Sequence, residues 1–183
     1  MTRFAICALF ALAGCAADQV VAPPAADVSL LRNPTANLGS QADVVAQDLA
    51  GDWTVRQAAL GTWPNGQTAV SFAANGQDLI LVTQGVVCAS ADLCEAETVQ
   101  VPYVQTLAGR FRAQDAVPAA QPSEIWVYWM DFDDRTMAIG NPNGGFVAIL
   151  DRAATGGADR ITAARDILDW YGYDLSKLRR VEP

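Results

Sequence analysis

The side chains able to do chemistry in this chain are four cysteines, a run of aspartates and a Ser-Lys pair, because histidine is absent. Without imidazole there is no Ser-His-Asp or Cys-His nucleophile, no histidine general base and no His-bearing zinc site. Asp131, Asp133 and Asp134 have the crowding of a Ca²⁺ loop, but its Gly and distal Glu are missing, so they read as a solvated turn. Ser176 and Lys177 would need burial to act as a nucleophilic pair, and the polar tail around them argues for exposure. Asn141-Pro142-Asn143-Gly144-Gly145 has the glycines of a phosphate cradle. No lysine or helix start follows, so it reads as a hairpin turn. No paired carboxylates fall on inward strand positions, which leaves an isomerase without an acid–base couple. The chain is not expected to be an enzyme, and no metal or other cofactor is expected.

The scaffold for these residues is a single globular domain with a sizeable core. The chain has 183 residues, 51% of them apolar and 17% charged. Twenty acidic against 12 basic side chains give a net charge of −8 and a pI near 4.3. No basic surface can neutralise several phosphates, so nucleic acid is excluded as a partner.

The N-terminus carries an export pattern. Arg3 precedes the apolar run from Phe4 to Gly14, far shorter than the roughly 20 residues that span a bilayer. It reads as the apolar region of a signal peptide. Leu12-Ala13-Gly14-Cys15 resembles a bacterial lipobox. That resemblance implies a signal peptide over 1–14 and attachment of palmitate-class acyl chains to Cys15. Ala16 and Ala17, rather than Asp, then imply the periplasmic face of the outer membrane, with the bilayer held through the lipid anchor. Residues 15–40, with Pro23-Pro24 among Ala and Val, read as a linker. In an oxidising compartment Cys88 and Cys94, which flank the short turn Ala89-Ser90-Ala91-Asp92-Leu93, are expected to form a disulfide. A loop this small stabilises by roughly 2 kcal/mol.

From Gly51 to about residue 152 the pattern is β. Runs rich in Val, Ile, Phe, Tyr and Trp alternate with turn clusters. Eight strands are expected: 51–60, 68–74, 78–83, 97–106, 109–114, 124–131, 136–140 and 146–152. Asn75-Gly76 is a hairpin signal, and Trp63-Pro64-Asn65-Gly66 is a loop. Eight short strands with short connections are most economically closed as an antiparallel up-and-down barrel. One helix follows, with Asp159 as its cap, Ile161, Ala164, Ile167, Leu168 and Tyr171 on one face, and Gly172 at its end. Its apolar face is expected to pack on the outside of the barrel.

At this point the chain resembles the lipocalins, in particular the bacterial, apolipoprotein-D-like branch. Leu49-Ala50-Gly51-Asp52-Trp53-Thr54 is similar to the family's Gly-x-Trp opening. Tyr128 to Arg135, with Asp131, falls where the family has its second landmark, and Phe146 to Arg152 resembles the last strand with its closing arginine. Gly172-Tyr173-Asp174-Leu175-Ser176-Lys177 resembles the ending of bacterial lipocalins, and Arg32-Asn33-Pro34 a short lead-in before Gly-x-Trp. Asp134 departs from the family at a position where an aromatic is usual, and Thr54 replaces the common Tyr. The resemblance implies a barrel domain over 41–183, closed at its base by Gly51, Trp53, Asp131 and Arg152. Arg152 would lie over the Trp53 ring, a structural rather than catalytic pair worth about 2 kcal/mol.

Strand alternation with Trp53 inward then assigns a cup lining. Val55, Gln57, Phe72, Leu79, Leu81, Tyr103, Phe111, Trp126 and Tyr128 are the expected ligand contacts, with Ala59, Val70 and Val101. The sixth strand is apolar on both faces, so alternation does not fix its parity. Arg110 and Arg112 face solvent if Phe111 points in; an anion anchor needs the opposite parity. The implied function is to bind, store or ferry a small hydrophobic ligand such as a fatty acid or lysophospholipid. The rival reading is a periplasmic small-barrel protease inhibitor acting through residues 16–40.

Overall fold

The computed structural model describes residues 31–181, apart from 65, 91–92 and 119–120 and the side chains of 85–94. Eight antiparallel strands form a closed up-and-down barrel: β1 Gly51–Ala59, β2 Ala69–Asn75, β3 Asp78–Ser90, β4 Leu93–Leu107, β5 Arg110–Ala113, β6 Glu124–Met130, β7 Thr136–Gly140 and β8 Val147–Asp151. Each strand pairs with the next, and β1 closes the ring by pairing with both β8 and β2. Closure leaves no long free edge in the ring. The β3–β4 hairpin runs further than the sequence pattern suggests, with pairing continuous from Leu79↔Tyr103 to Cys88↔Cys94.

The connections sort to two ends. The β1–β2, β3–β4, β5–β6 and β7–β8 links lie at the mouth. The β2–β3, β4–β5 and β6–β7 turns lie at the base, beside the one-turn helix α1 (Ala46–Leu49). Gly76, at φ +64°, supplies the left-handed residue that the tight β2–β3 turn requires. Gly109 in the β4–β5 turn packs so closely that a Cβ there would stand 2.9 Å from the Gln41 carbonyl oxygen.

Helix α2 (Ala158–Trp170) packs outside the barrel, burying Ile161, Ala164 and Leu168 as its periodicity predicts. Gly157, in the left-handed conformation at φ +66°, is its N-cap. Asp159 therefore lies within the first turn rather than capping it, where its charge still favours the helix dipole. After α2 a 3₁₀ turn (Leu175–Lys177) leads into β9 (Leu178–Arg180), which adds to the mouth end of β1.

Two bulges set which side chains enter the barrel. In β1 the register slips between Val55 and Gln57. Trp53, Val55 and Ala58 join the interior cluster, whereas Ala59 joins the cluster beneath α2. Gln57 also faces α2, accepting a hydrogen bond from Arg165 Nη1 at 2.5 Å. The inward assignment of Gln57 and Ala59 is thus corrected: one extra residue reverses every later position in the strand. In β6, Ile125, Val127 and Met130 point inward. Trp126, Tyr128 and Trp129 lie beneath α2, with a second slip between Val127 and Trp129. Trp126 and Tyr128 are therefore not cup residues. The helix gives the outer face of β6 a buried surface, and its large aromatics cover it.

Residues 31–40, assigned to the linker from sequence, are part of the packed structure. Leu31 and Arg32 are buried, and Arg32 bridges to Tyr173. Arg32 Nη2 donates to the carbonyls of Ala36 and Asn37 at 2.8 and 2.7 Å. The signal peptide, Cys15 and the rest of the linker lie outside the described residues.

Candidate functional site at the mouth of the barrel

The base of the barrel is closed by a pair of side chains. Trp53 is 1% exposed, its indole N–H donates to the Leu49 carbonyl at 2.7 Å, and the Arg152 guanidinium lies 3.6 Å from its ring centre. The same guanidinium donates to the carbonyls of Asp48, Asp52 and Asp134, so it ties α1, β1 and the β6–β7 turn together. Gly51 has φ +100°, and a Cβ there would meet Arg152 Nη1 at 3.1 Å, which accounts for the glycine two residues before the tryptophan. Asp131 contributes from further away. Its Oδ1 accepts from the Arg135 and Thr136 amides at 2.8 and 2.5 Å and so shapes the β6–β7 turn. Burial and the neighbouring Asp48 and Asp131 raise the pKa of Asp134, which takes a left-handed φ of 53° in that turn.

Above the base the interior is side chain. Val55, Val70, Phe72, Leu79, Leu81, Val101, Tyr103 and Phe111 point inward as alternation assigns, in one cluster with Trp53. Phe72, Leu79, Leu81, Tyr103 and Phe111 are at most 2% exposed. They fill the space between them, as the bore of an eight-stranded barrel allows. With Phe111 inward, Arg110 lies outside over the Trp126 ring at 3.9 Å and Arg112 pairs with Glu124 at 3.0 Å. Neither anchors an anion inside the barrel.

Free space opens at the mouth. A cavity of about 410 Å³ is walled by the β1–β2, β5–β6 and β7–β8 loops, with Trp63 and Phe146 among its lining. These two rings meet edge to face, 5.2 Å apart at 87°. Asn141 stiffens the β7–β8 loop, its Oδ1 accepting from the Gly145 and Phe146 amides at 2.6 and 3.2 Å. That loop is the turn expected from its glycines. Tyr103 donates to the carbonyl of Pro122, another lining residue, at 2.6 Å, and burial raises its pKa. The described cavity thus takes in none of the strand positions named as ligand contacts, although Tyr103 supports its wall.

The sequence reading missed Trp63, Gln67, Gln121 and Phe146 as site residues. Trp63 had a signal, an aromatic inside a turn cluster where water-facing residues are the rule. The glutamines had none. Gln121 and Gln67 come from loops more than fifty residues apart in the chain.

On the outer wall, Tyr128 and Tyr173 share a hydrogen bond at 3.0 Å, and Tyr173 donates to the Asn141 carbonyl at 2.8 Å. Burial pushes Tyr128 up to about 12 and raises Tyr173 as well. Cys88 and Cys94 face each other in the β3–β4 register, while their side chains fall outside the described ones.

No protein-family profile and no curated protein sequence matches the chain. Solved structures do. Apocrustacyanin C1 superposes over 80% of this chain and 88% of its own at a TM-score of 0.54 and 10% identity. Lobster apocrustacyanin A1 covers the same shares at 0.51 and 10%. H1 crustacyanin from the lobster Homarus americanus covers 78% and 87% at 0.51 and 11%. Crustacyanins are lipocalins. The fold is lipocalin-like. At these identities the likeness is one of architecture: a closed eight-stranded barrel with a helix packed outside. That likeness shows the fold alone. It leaves the chemistry of the mouth to this chain's own residues.

Proposed function

We propose that this protein is a binding protein of the bacterial, apolipoprotein-D-like lipocalin type, and that it takes a small hydrophobic ligand with one polar end at the barrel mouth. The observation that carries the reading is the cavity of about 410 Å³ lined by Trp63 and Phe146, at the open end of a barrel whose base is shut. Fatty-acyl compounds, the class that includes fatty acids and lysophospholipids, offer the required combination of chain and head. Affinity comes from apolar area, at about 25 cal/mol per Å² removed from water. The ligand is stored or carried without covalent change.

The reading also holds the protein at the periplasmic face of the outer membrane through acyl chains on Cys15. The Leu-Ala-Gly-Cys sequence and the two alanines after it support this assignment. Among the described residues no helix is long and apolar enough to cross a membrane. Leu31 and Arg32 pack at the mouth: the Leu31 amide donates to the Gly144 carbonyl at 3.3 Å, and Arg32 packs on Gly144. The protease-inhibitor reading is weakened by the same contacts, because the latter part of residues 16–40 is packed against the barrel.

A fluorescent acyl probe titrated into the full chain should bind with a Kd of about 1 μM or tighter. Failure of fatty acids, lysolipids and retinoids alike to bind would remove the reading. Cys15→Ala should shift the protein from the membrane to the soluble fraction of its host; retention would remove the anchor.

A further inference from the structure

The cavity wall has an unusual polar composition. Trp63 Nε1, Gln67 Oε1 and Gln121 Oε1 are buried and have no hydrogen-bond partner among the described residues. All three residues line the mouth cavity, and Trp63 is only 7% exposed. The one other such atom in the described structure is Arg32 Nε. A buried polar atom left unpaired costs roughly 1–3 kcal/mol, so three around one cavity call for a common cause.

The glutamine orientations are set from behind. Gln67 Nε2 donates to the Gln84 carbonyl at 3.4 Å, and Gln121 Nε2 donates to Thr83 Oγ1 at 3.0 Å. With the amide nitrogens held, each glutamine leaves its oxygen as the free group. The wall therefore has one donor and two acceptors to satisfy. None of the lining residues is charged. An ionised carboxylate or phosphate would lose hydration there without a counter-charge, and the two glutamine oxygens would repel it.

We propose that the mouth selects an uncharged amphiphile whose polar end offers two hydroxyl donors and one carbonyl or ether acceptor, as a glycerol monoester does. The indole N–H of Trp63 donates to the acceptor, and the hydroxyls donate to Gln67 and Gln121. The proposal rests on the mouth being the ligand site and narrows the ligand from acyl compounds in general to those with a neutral polyol head.

The test compares 1-monooctanoylglycerol, octanoate and octyl phosphate on the full chain at pH 8, following the ¹⁵N-labelled Trp63 indole resonance. The glycerol ester should bind at least about tenfold more tightly than either anion and move the indole proton downfield. Trp63→Phe keeps a ring against Phe146 and removes the donor together with part of the indole's apolar surface, a loss that ester and octanoate share; the ester should weaken about tenfold more than octanoate, the equivalent of 1.4 kcal/mol. Gln67→Leu and Gln121→Leu should act in the same sense, so one poorly folding variant does not decide the matter. If octanoate binds as tightly as the ester, or the variants leave their ratio unchanged, the head-group proposal is overturned while the mouth remains the site. If none of the three binds, the mouth reading falls and takes the head-group proposal with it.

Discussion

The Arg152 guanidinium lies 3.6 Å from the centre of the Trp53 ring and reaches three backbone carbonyls from that position. Burial lowers its pKa, with Asp134 and Asp52 acting in the opposite direction. A stacked planar cation with a fork of donors does what an ammonium cannot. Arg152→Lys should therefore destabilise the protein by about 2 kcal/mol despite keeping the charge, read as a lower urea midpoint at unchanged slope. Gly51→Ala should also destabilise, because φ +100° and the Nη1 contact both oppose a Cβ.

A second ionic centre holds α2 to the barrel. Asp151 is fully buried on β8, accepting from Thr136 Oγ1 at 2.6 Å and Arg160 Nη2 at 3.1 Å. Arg160 Nε also donates to Thr136 at 2.7 Å. Loss of Asp151 leaves Arg160 with Asp131 alone as an ion-pair partner among the described residues, at 3.8 Å, and the Thr136 hydroxyl without its acceptor. Asp151→Ala is expected to cost about 3 kcal/mol, with early loss of helix protection in hydrogen exchange. Normal protection of 158–170 in a folded variant would show that the pair does not hold the helix.

Alkaline pH should unfold the protein through its tyrosines. Of four tyrosines, Tyr103, Tyr128 and Tyr173 have pKa values raised by burial, Tyr128 to about 12. The folded state holds these protons more tightly than the unfolded chain, whose tyrosines titrate near 10. Their contribution to stability is complete below pH 10 and is lost as pH rises from there toward and beyond 12. Phenolate absorbance should thus rise for these three only together with loss of the β-sheet circular dichroism signal. Ionisation of all four while the barrel stays folded would contradict the burial.

Cys88 and Cys94 stand opposite each other in the β3–β4 pairing. Directly paired antiparallel residues have Cα separations of about 4.5–5.5 Å, within the range a disulfide spans. Protein isolated from its host and denatured without reductant should show no reactive thiol at either position. Two equivalents should appear after reduction, with a loss of roughly 2 kcal/mol in stability. Alkylation of both cysteines before reduction would exclude the bond.

Gln57 and Trp126 separate the observed face assignments from simple alternation. Gln57 bonds Arg165 of α2, and Trp126 lies against Arg110 outside the barrel. Gln57→Ala and Trp126→Leu should lower the melting temperature and leave the affinity for an acyl probe within about twofold. A tenfold loss of affinity at unchanged stability would place them in the cup after all.

Much of the scaffold was legible before any coordinates. Turn residues bounded the strands, Asn75-Gly76 marked a hairpin, and a 3.6-residue period marked the face of α2. Trp53 and Arg152 could be paired through the resemblance to lipocalins, although 99 residues separate them in the chain. Asp159 was read as the helix cap because its side chain suits that position, whereas the chain enters α2 through left-handed Gly157. The ninth strand gave no comparable signal, and residues 31–40 gave only the resemblance of Arg32-Asn33-Pro34 to a lipocalin lead-in, since the packing of both depends on where distant surfaces lie.

The amino-acid sequence by itself determined the number and order of the barrel strands and the outer helix, because these follow from local periodicity and turn chemistry; the pairing of Gly51 with Arg152 was implied only by the resemblance. Only the tertiary structure decided which residues face the interior and where space remains. A bulge changes parity without changing composition, as Gln57 shows. Whether inward side chains line a hollow or fill it depends on how eight strands curve together, and here Phe72, Tyr103 and Phe111 fill it. The mouth is assembled from loops that meet only when the ring closes, so Trp63, Gln67 and Gln121 become one site by geometry alone.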